Sequence, residues 1–167
     1  ANNCKGYKVL HFFFEDQEVN IRRKYYGYVS GVEACDLSKP EFKDFVMEQL
    51  GYRTNDINQM LEDNIYCEKL PTGDMTASEL KAKSRKYIAS GFTPDLIIID
   101  YFECLAYEKD NSFNASEWSK EGQTMRKLEN MAAEFNCAIW VPIQGTKDSI
   151  GAEIVGMAQG GGSVKKT

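Results

Sequence analysis

Asp95-Leu96-Ile97-Ile98-Ile99-Asp100 is the stretch on which the reading of this chain turns. An apolar run of this length, bounded by acids and preceded by Pro94, predicts a short strand buried on both faces. Such strands belong to parallel sheets covered by helices on both sides. Ligands of open α/β sheets gather outside the carboxyl ends of the strands, which is where Asp100 emerges. A carboxylate there can hold a hydrated Mg²⁺ beside a nucleotide. The competing reading is that Asp100 simply caps the segment that follows.

The rest of the chain repeats the alternation. Val9–Phe14 reads as a second buried strand and Cys137–Ile143 as a third, while Ile65-Tyr66-Cys67 reads as a shorter one. Between them, Ile21, Tyr25, Tyr28 and Val32 recur at helical spacing. Ser38-Lys39-Pro40-Glu41 predicts a capped helix with Phe42, Phe45 and Val46 inward, and a short helix is expected over Asp56–Glu62. Thr76-Ala77-Ser78-Glu79 is a second capping box, opening a helix through Leu80, Lys83, Tyr87 and Ile88 that stops near Gly91. Asn114 with Glu117 opens the longest helix, with Trp118, Met125, Leu128, Ala132 and Phe135 as its inner stripe. Strands alternating with helices predict an α/β architecture with a mainly parallel sheet.

Composition narrows the function classes. The 167 residues carry a net charge of −5, so any nucleic-acid contact must come from local patches. A single His and five scattered cysteines argue against a zinc site and fit reduced thiols. No apolar stretch reaches membrane-spanning length, and no signal peptide is visible.

Three polar residues each follow directly on a buried strand: Glu15, Asp100 and Gln144. In a parallel sheet those ends share one edge. Carboxylates to hold a metal and activate water, with an amide to sense a phosphate, would form a hydrolytic site. The plain alternative is that burial ends at these positions. His11, inside an apolar strand, reads as a core or interface histidine. Arg22-Arg23 and Lys81–Lys86 read as solvated helix faces, and Trp118 and Trp140 as core.

The ordered set of segments resembles the RecA-like ATPase domain of DnaB-type replicative helicases, of bacteriophage or divergent type. Val9–Asp16 is similar to the family strand that ends in Ser-Leu-Glu-Met, and Ile21-Arg22-Arg23 to its paired arginines. Thr76–Lys83 resembles the T-x-x-E-L-x-x-K segment, Leu96–Tyr101 the I-V-I-D-Y-L-Q Walker B stretch, and Met125–Ala132 the S-R-x-L-K-x-L-A helix. Val141-Pro142-Ile143-Gln144 resembles the strand ending in Ser-Gln. The departures are specific. No G-x-x-x-x-G-K-[ST] occurs, Phe13-Phe14 replaces Ser-Leu, Glu103 stands near the usual Gln, and Gly145-Thr146-Lys147 replaces an Asn-Arg type continuation.

The resemblance implies a RecA-like three-layer sandwich over residues 1–167, a partial domain without the P-loop segment and the later strands that carry the arginine finger. It implies ATP and Mg²⁺ as cofactors, with Glu15 as catalytic base, Asp100 on the Mg²⁺ through water and Gln144 at the γ-phosphate. It implies a cytoplasmic homo-hexamer on single-stranded DNA, with primase as a further partner and no membrane contact. DNA contacts are expected from the loop at about Glu108–Ser116 and from Lys147, Gly160, Gly161, Gly162, Lys165 and Lys166. On composition alone the tail reads more readily as a disordered segment with incidental lysines. By themselves the 167 residues are expected to have negligible ATPase activity. Two alternatives stand beside the helicase: a recombinase- or clock-type regulatory ATPase, and an inactive fragment acting as an assembly surface.

Overall fold

The computed structural model describes residues 6–37, 39–40, 63–108 and 117–144. Within them, four strands form one parallel sheet in the order β2-β1-β3-β4. These strands are β1 (Val9–Phe13), β2 (Ile65–Lys69), β3 (Leu96–Asp100) and β4 (Ala138–Trp140). The helices are α1 (Glu18–Ser30), α2 (Ala77–Ala89) and α3 (Glu117–Phe135). The expected helices at Ser38–Val46 and Asp56–Glu62 lie outside the described residues, apart from a few positions at their borders. So do residues 109–116, with the helix start expected at Asn114 and all but Glu108 of the loop expected to meet DNA, and Lys147, Gly160, Gly161, Gly162, Lys165 and Lys166.

Alternation along the strands assigns each side chain to one of two faces. Leu10, Phe12, Ile97 and Ile99 are fully buried on one face, where they join Leu80 of α2 and Leu128 and Met131 of α3 in the main core. The opposite face carries Val9, His11 and Phe13 of β1, which are buried. There α1 contributes Ile21, which is buried, and Tyr25, whose hydroxyl lies 2.9 Å from His11 Nδ1. Helices therefore lie on both sides of the sheet.

Local chemistry explains the helix ends. Thr76 and Glu79 form a complete capping box: Thr76 Oγ1 accepts from the Glu79 N–H at 3.2 Å, and Glu79 Oε2 accepts from the Thr76 N–H at 2.9 Å. Gly31 closes α1 in the left-handed conformation, φ 73°, its N–H donating to Gly27 O. A side chain at Gly27 would meet Val32 O at 2.8 Å, because the chain folds back across the end of α1.

Several expectations are corrected. Tyr28 is 73% exposed, because α1 turns only its Ile21–Tyr25 face to the sheet. Trp118 is 67% exposed, whereas Met125, Leu128 and Phe135 of the expected stripe do pack on the core, joined there by the buried Thr124 and Met131. A five-residue strand is about 16 Å deep whereas a 19-residue helix is about 28 Å long, so the first turn of α3 overhangs the sheet. Strand β4 stops at Trp140, as Pro142 has no N–H to extend the ladder. Trp140 is 62% exposed rather than core, and β3 alternates between buried and half-buried rather than being sealed on both faces. Lys81, Lys83 and Arg85 are not a free solvated face: Lys81 and Arg85 converge on Glu134 of α3, and Lys83 pairs with Glu68 of β2.

Candidate active site

The pairing register levels Phe13 of β1 with Asp100 of β3, and Ile98 of β3 with Trp140 of β4. Glu15 and Gln144 therefore each lie a short step beyond the level of Asp100, on the same carboxyl edge of the sheet. Asp100 is half-buried at this rim, while Glu15 and Gln144 are exposed. Among the described residues no hydrogen bond joins these three directly. The segment that leaves β3 links their neighbourhoods instead.

Three successive residues make that link. Tyr101 donates its hydroxyl to Glu15 Oε1 at 2.9 Å, beyond the end of β1. The Phe102 N–H donates to Pro142 O at 3.0 Å, beyond the end of β4. Glu103 Oε1 accepts from the Gln144 N–H at 2.9 Å. On the other flank, Lys69 at the end of β2 donates to the Glu15 carbonyl at 3.4 Å, the outer limit of a hydrogen bond. The hydrogen bond to the Glu15 carboxylate is the chief reason the Tyr101 phenol ionises well above its usual range, so Tyr101 remains a donor at ordinary pH.

Beneath the rim, His11 and Tyr25 occupy the face on which Asp100 lies by register. Burial lowers the His11 imidazole below its usual 6.5; Asp100 partly opposes this and Lys24 adds to it. Burial likewise raises the Tyr25 phenol, with Cys67 and Asp100 adding to the effect. His11 Nε2 is buried without a hydrogen-bond partner among the described residues. His11 is thus a packed histidine beneath the rim.

The donor set suits Mg²⁺. Among the described residues no ion pair forms at Asp100, and no three His, Cys, Asp or Glu side chains cluster tightly enough to enclose a metal. Mg²⁺ is commonly held by one or two carboxylates, its remaining positions filled by water and substrate phosphates. A rim with one half-buried carboxylate fits that mode, and a closed protein cage does not.

Tyr101 and Glu103 are not among the residues the sequence points to as a site; their signals are position directly after the strand that ends in Asp100 and, by resemblance, Tyr101 in the Walker B stretch and Glu103 near the usual Gln.

The family model of the DnaB-like helicase C terminal domain matches residues 1–149, and the chain belongs to that family. By sequence, no curated protein matches the chain. Two solved structures show the same RecA-like fold. One, of a DnaB-like replicative helicase and its interactions with primase, superposes with a TM-score of 0.70 at 17% identity, over 91% of this chain and 35% of that one. The other, the ATPase domain of G40P, gives 0.68 at 17% identity, over 91% of this chain and 53% of that one. This chain therefore spans roughly a third to a half of the structures it resembles. Among the described residues, no helix is long and apolar enough to cross a membrane.

Proposed function

We propose that these residues form part of the ATP-hydrolysing motor of a replicative DNA helicase. The observation that carries this reading is the shared sheet edge. Asp100 ends β3, and Glu15 and Gln144 follow the ends of β1 and β4 on the same edge of one parallel sheet, with Tyr101–Glu103 spanning between them. Family membership supports the class of reaction.

In this reading Glu15 accepts a hydrogen bond from the attacking water and orients it. Asp100 would hold Mg²⁺, which would supply charge neutralisation on the phosphates when bound. Gln144 donates to the terminal phosphate, and its release on hydrolysis moves the segment beyond β4. Lys147, Gly160, Gly161, Gly162, Lys165 and Lys166 lie on that downstream segment and are proposed to meet the backbone of single-stranded DNA. Assembly as a homo-hexamer is proposed from family membership, and primase as a partner from the likeness to a helicase structure described with primase. A cytoplasmic location follows from replication as the task.

The test uses the longest natural chain that contains these residues. Glu15→Gln keeps the shape of the side chain and removes the charge that orients water. ATP turnover should fall by about 10²-fold or more, the size expected for loss of a general base, while nucleotide binding stays within about twofold. Turnover that survives Glu15→Gln sinks the assignment.

A further inference from the structure

Strand β3 lies between β1 and β4, so the chain leaving it emerges between the ends of both neighbours. Phe102, only 6% exposed, is sunk into the main core, and its N–H is fixed to Pro142 O. That anchor leaves its two flanking residues pointed to opposite sides: Tyr101 reaches the β1 end at Glu15, and Glu103 reaches the β4 end at Gln144. The partners are 86 and 41 residues distant in the chain, so neither bond is a by-product of local turn geometry. Both acceptors are carboxylates, which makes these the stronger class of hydrogen bond.

We propose that Tyr101 and Glu103 are positioning residues that hold Glu15 and the Gln144 segment as one unit through the turn after β3. This rests on the function proposed above and adds to it a means of keeping the water-orienting and phosphate-contacting groups in mutual register. Tyr101 fixes one oxygen of the Glu15 carboxylate, leaving the other for water. Glu103 fixes the backbone at Gln144, which sets where that residue begins its movement. Because both act from one anchored tripeptide, a displacement at either end is transmitted to the other.

The experiment measures steady-state ATP hydrolysis by the longest natural chain carrying Tyr101→Phe, Glu103→Ala, Glu103→Gln and the double variant Tyr101→Phe/Glu103→Ala, with Glu15→Gln as reference. Tyr101→Phe removes one oxygen atom and Glu103→Gln keeps an acceptor in nearly the same place, so both preserve packing. Tyr101→Phe and Glu103→Ala should each lower kcat about tenfold or more with KM for ATP changed less than about twofold, as expected for misplaced catalytic groups. Glu103→Gln should restore most of the kcat lost in Glu103→Ala. The double variant should lose clearly less than the product of the two single losses, because either break frees the same element. Near-normal kcat in Tyr101→Phe and Glu103→Ala, while Glu15→Gln is inactive, overturns the positioning role and leaves the proposed function standing. A double variant that loses the full product overturns the claim of a single unit. Active Glu15→Gln overturns the underlying reading and this inference with it.

Discussion

The two faces of the sheet are built from the same strands and differ in what covers them. On the face under α2 and α3, Leu10, Phe12, Ile97 and Ile99 lose all contact with solvent. On the opposite face, burial is complete beneath α1 at Val9 and Phe13 but lapses toward β4, where Trp140 is 62% exposed. The difference shows that a strand residue's burial is decided by the helix above it as much as by its own apolarity. The rim at Glu15 and Asp100 sits where β1 and β3 leave a firm core on one side and a graded cover on the other.

Substitution at the sealed face should produce the largest change. Phe12 is fully buried and contacts Tyr87 of α2 edge-on, with ring centroids 6.4 Å apart. Phe12→Ala removes that volume from a site that helices on one side hold rigid, and should cost about 3–5 kcal/mol of unfolding free energy. Urea denaturation followed by circular dichroism gives the number. A cost near 1 kcal/mol would mean that the two faces are equally loose, and the contrast between them would fail.

This contrast also explains what could be read ahead of the structure. Strands β1 and β3 and the Thr76–Glu79 cap were legible because their determinants are local: continuous apolar runs, and a Thr with a Glu three residues on. The exposure of Trp118, Tyr28 and Trp140 was not legible. It depends on how far α3 overhangs a sheet only five residues deep, and on which part of a face α1 covers. The placement of Glu15, Asp100 and Gln144 on one edge followed from parallel pairing, which the strand–helix alternation implied. The contacts of Tyr101 and Glu103 stayed hidden because their partners are remote in the chain, and no spacing rule connects Tyr101 to Glu15.

An intermediate effect is expected beneath α1. His11 is the single histidine of the chain and is 8% exposed. The groups facing it are the Tyr25 hydroxyl, Asp100 and Lys24, and burial outweighs Asp100 to lower its pKa below 6.5. The unfolded chain therefore binds this proton more readily than the folded one. The contribution of His11 to stability is full above pH 6.5 and is lost as pH falls below it, with a slope of at most about 1.4 kcal/mol per pH unit for one proton. With one imidazole, a proton NMR titration reads the site directly. A midpoint above 6.5 would show Asp100 dominating, and the cover over this part of the face would then be more open than its burial implies.

The smallest effect belongs to the uncovered end of the same face. Trp140 follows the strand alternation that places it with His11 and Ile98, yet most of its surface meets water. Truncating a side chain this exposed removes few contacts, so Trp140→Ser should shift the unfolding free energy by no more than about 0.5 kcal/mol. Because Trp118 is exposed as well, acrylamide quenching in a Trp118→Phe background isolates Trp140, which should be readily quenched, though less so than a free indole. A shielded Trp140, together with a cost of about 2 kcal/mol or more, would show that this end of the face is covered in the folded protein. The graded face would then be a second sealed one. The rim at Asp100 would lie between two firm layers.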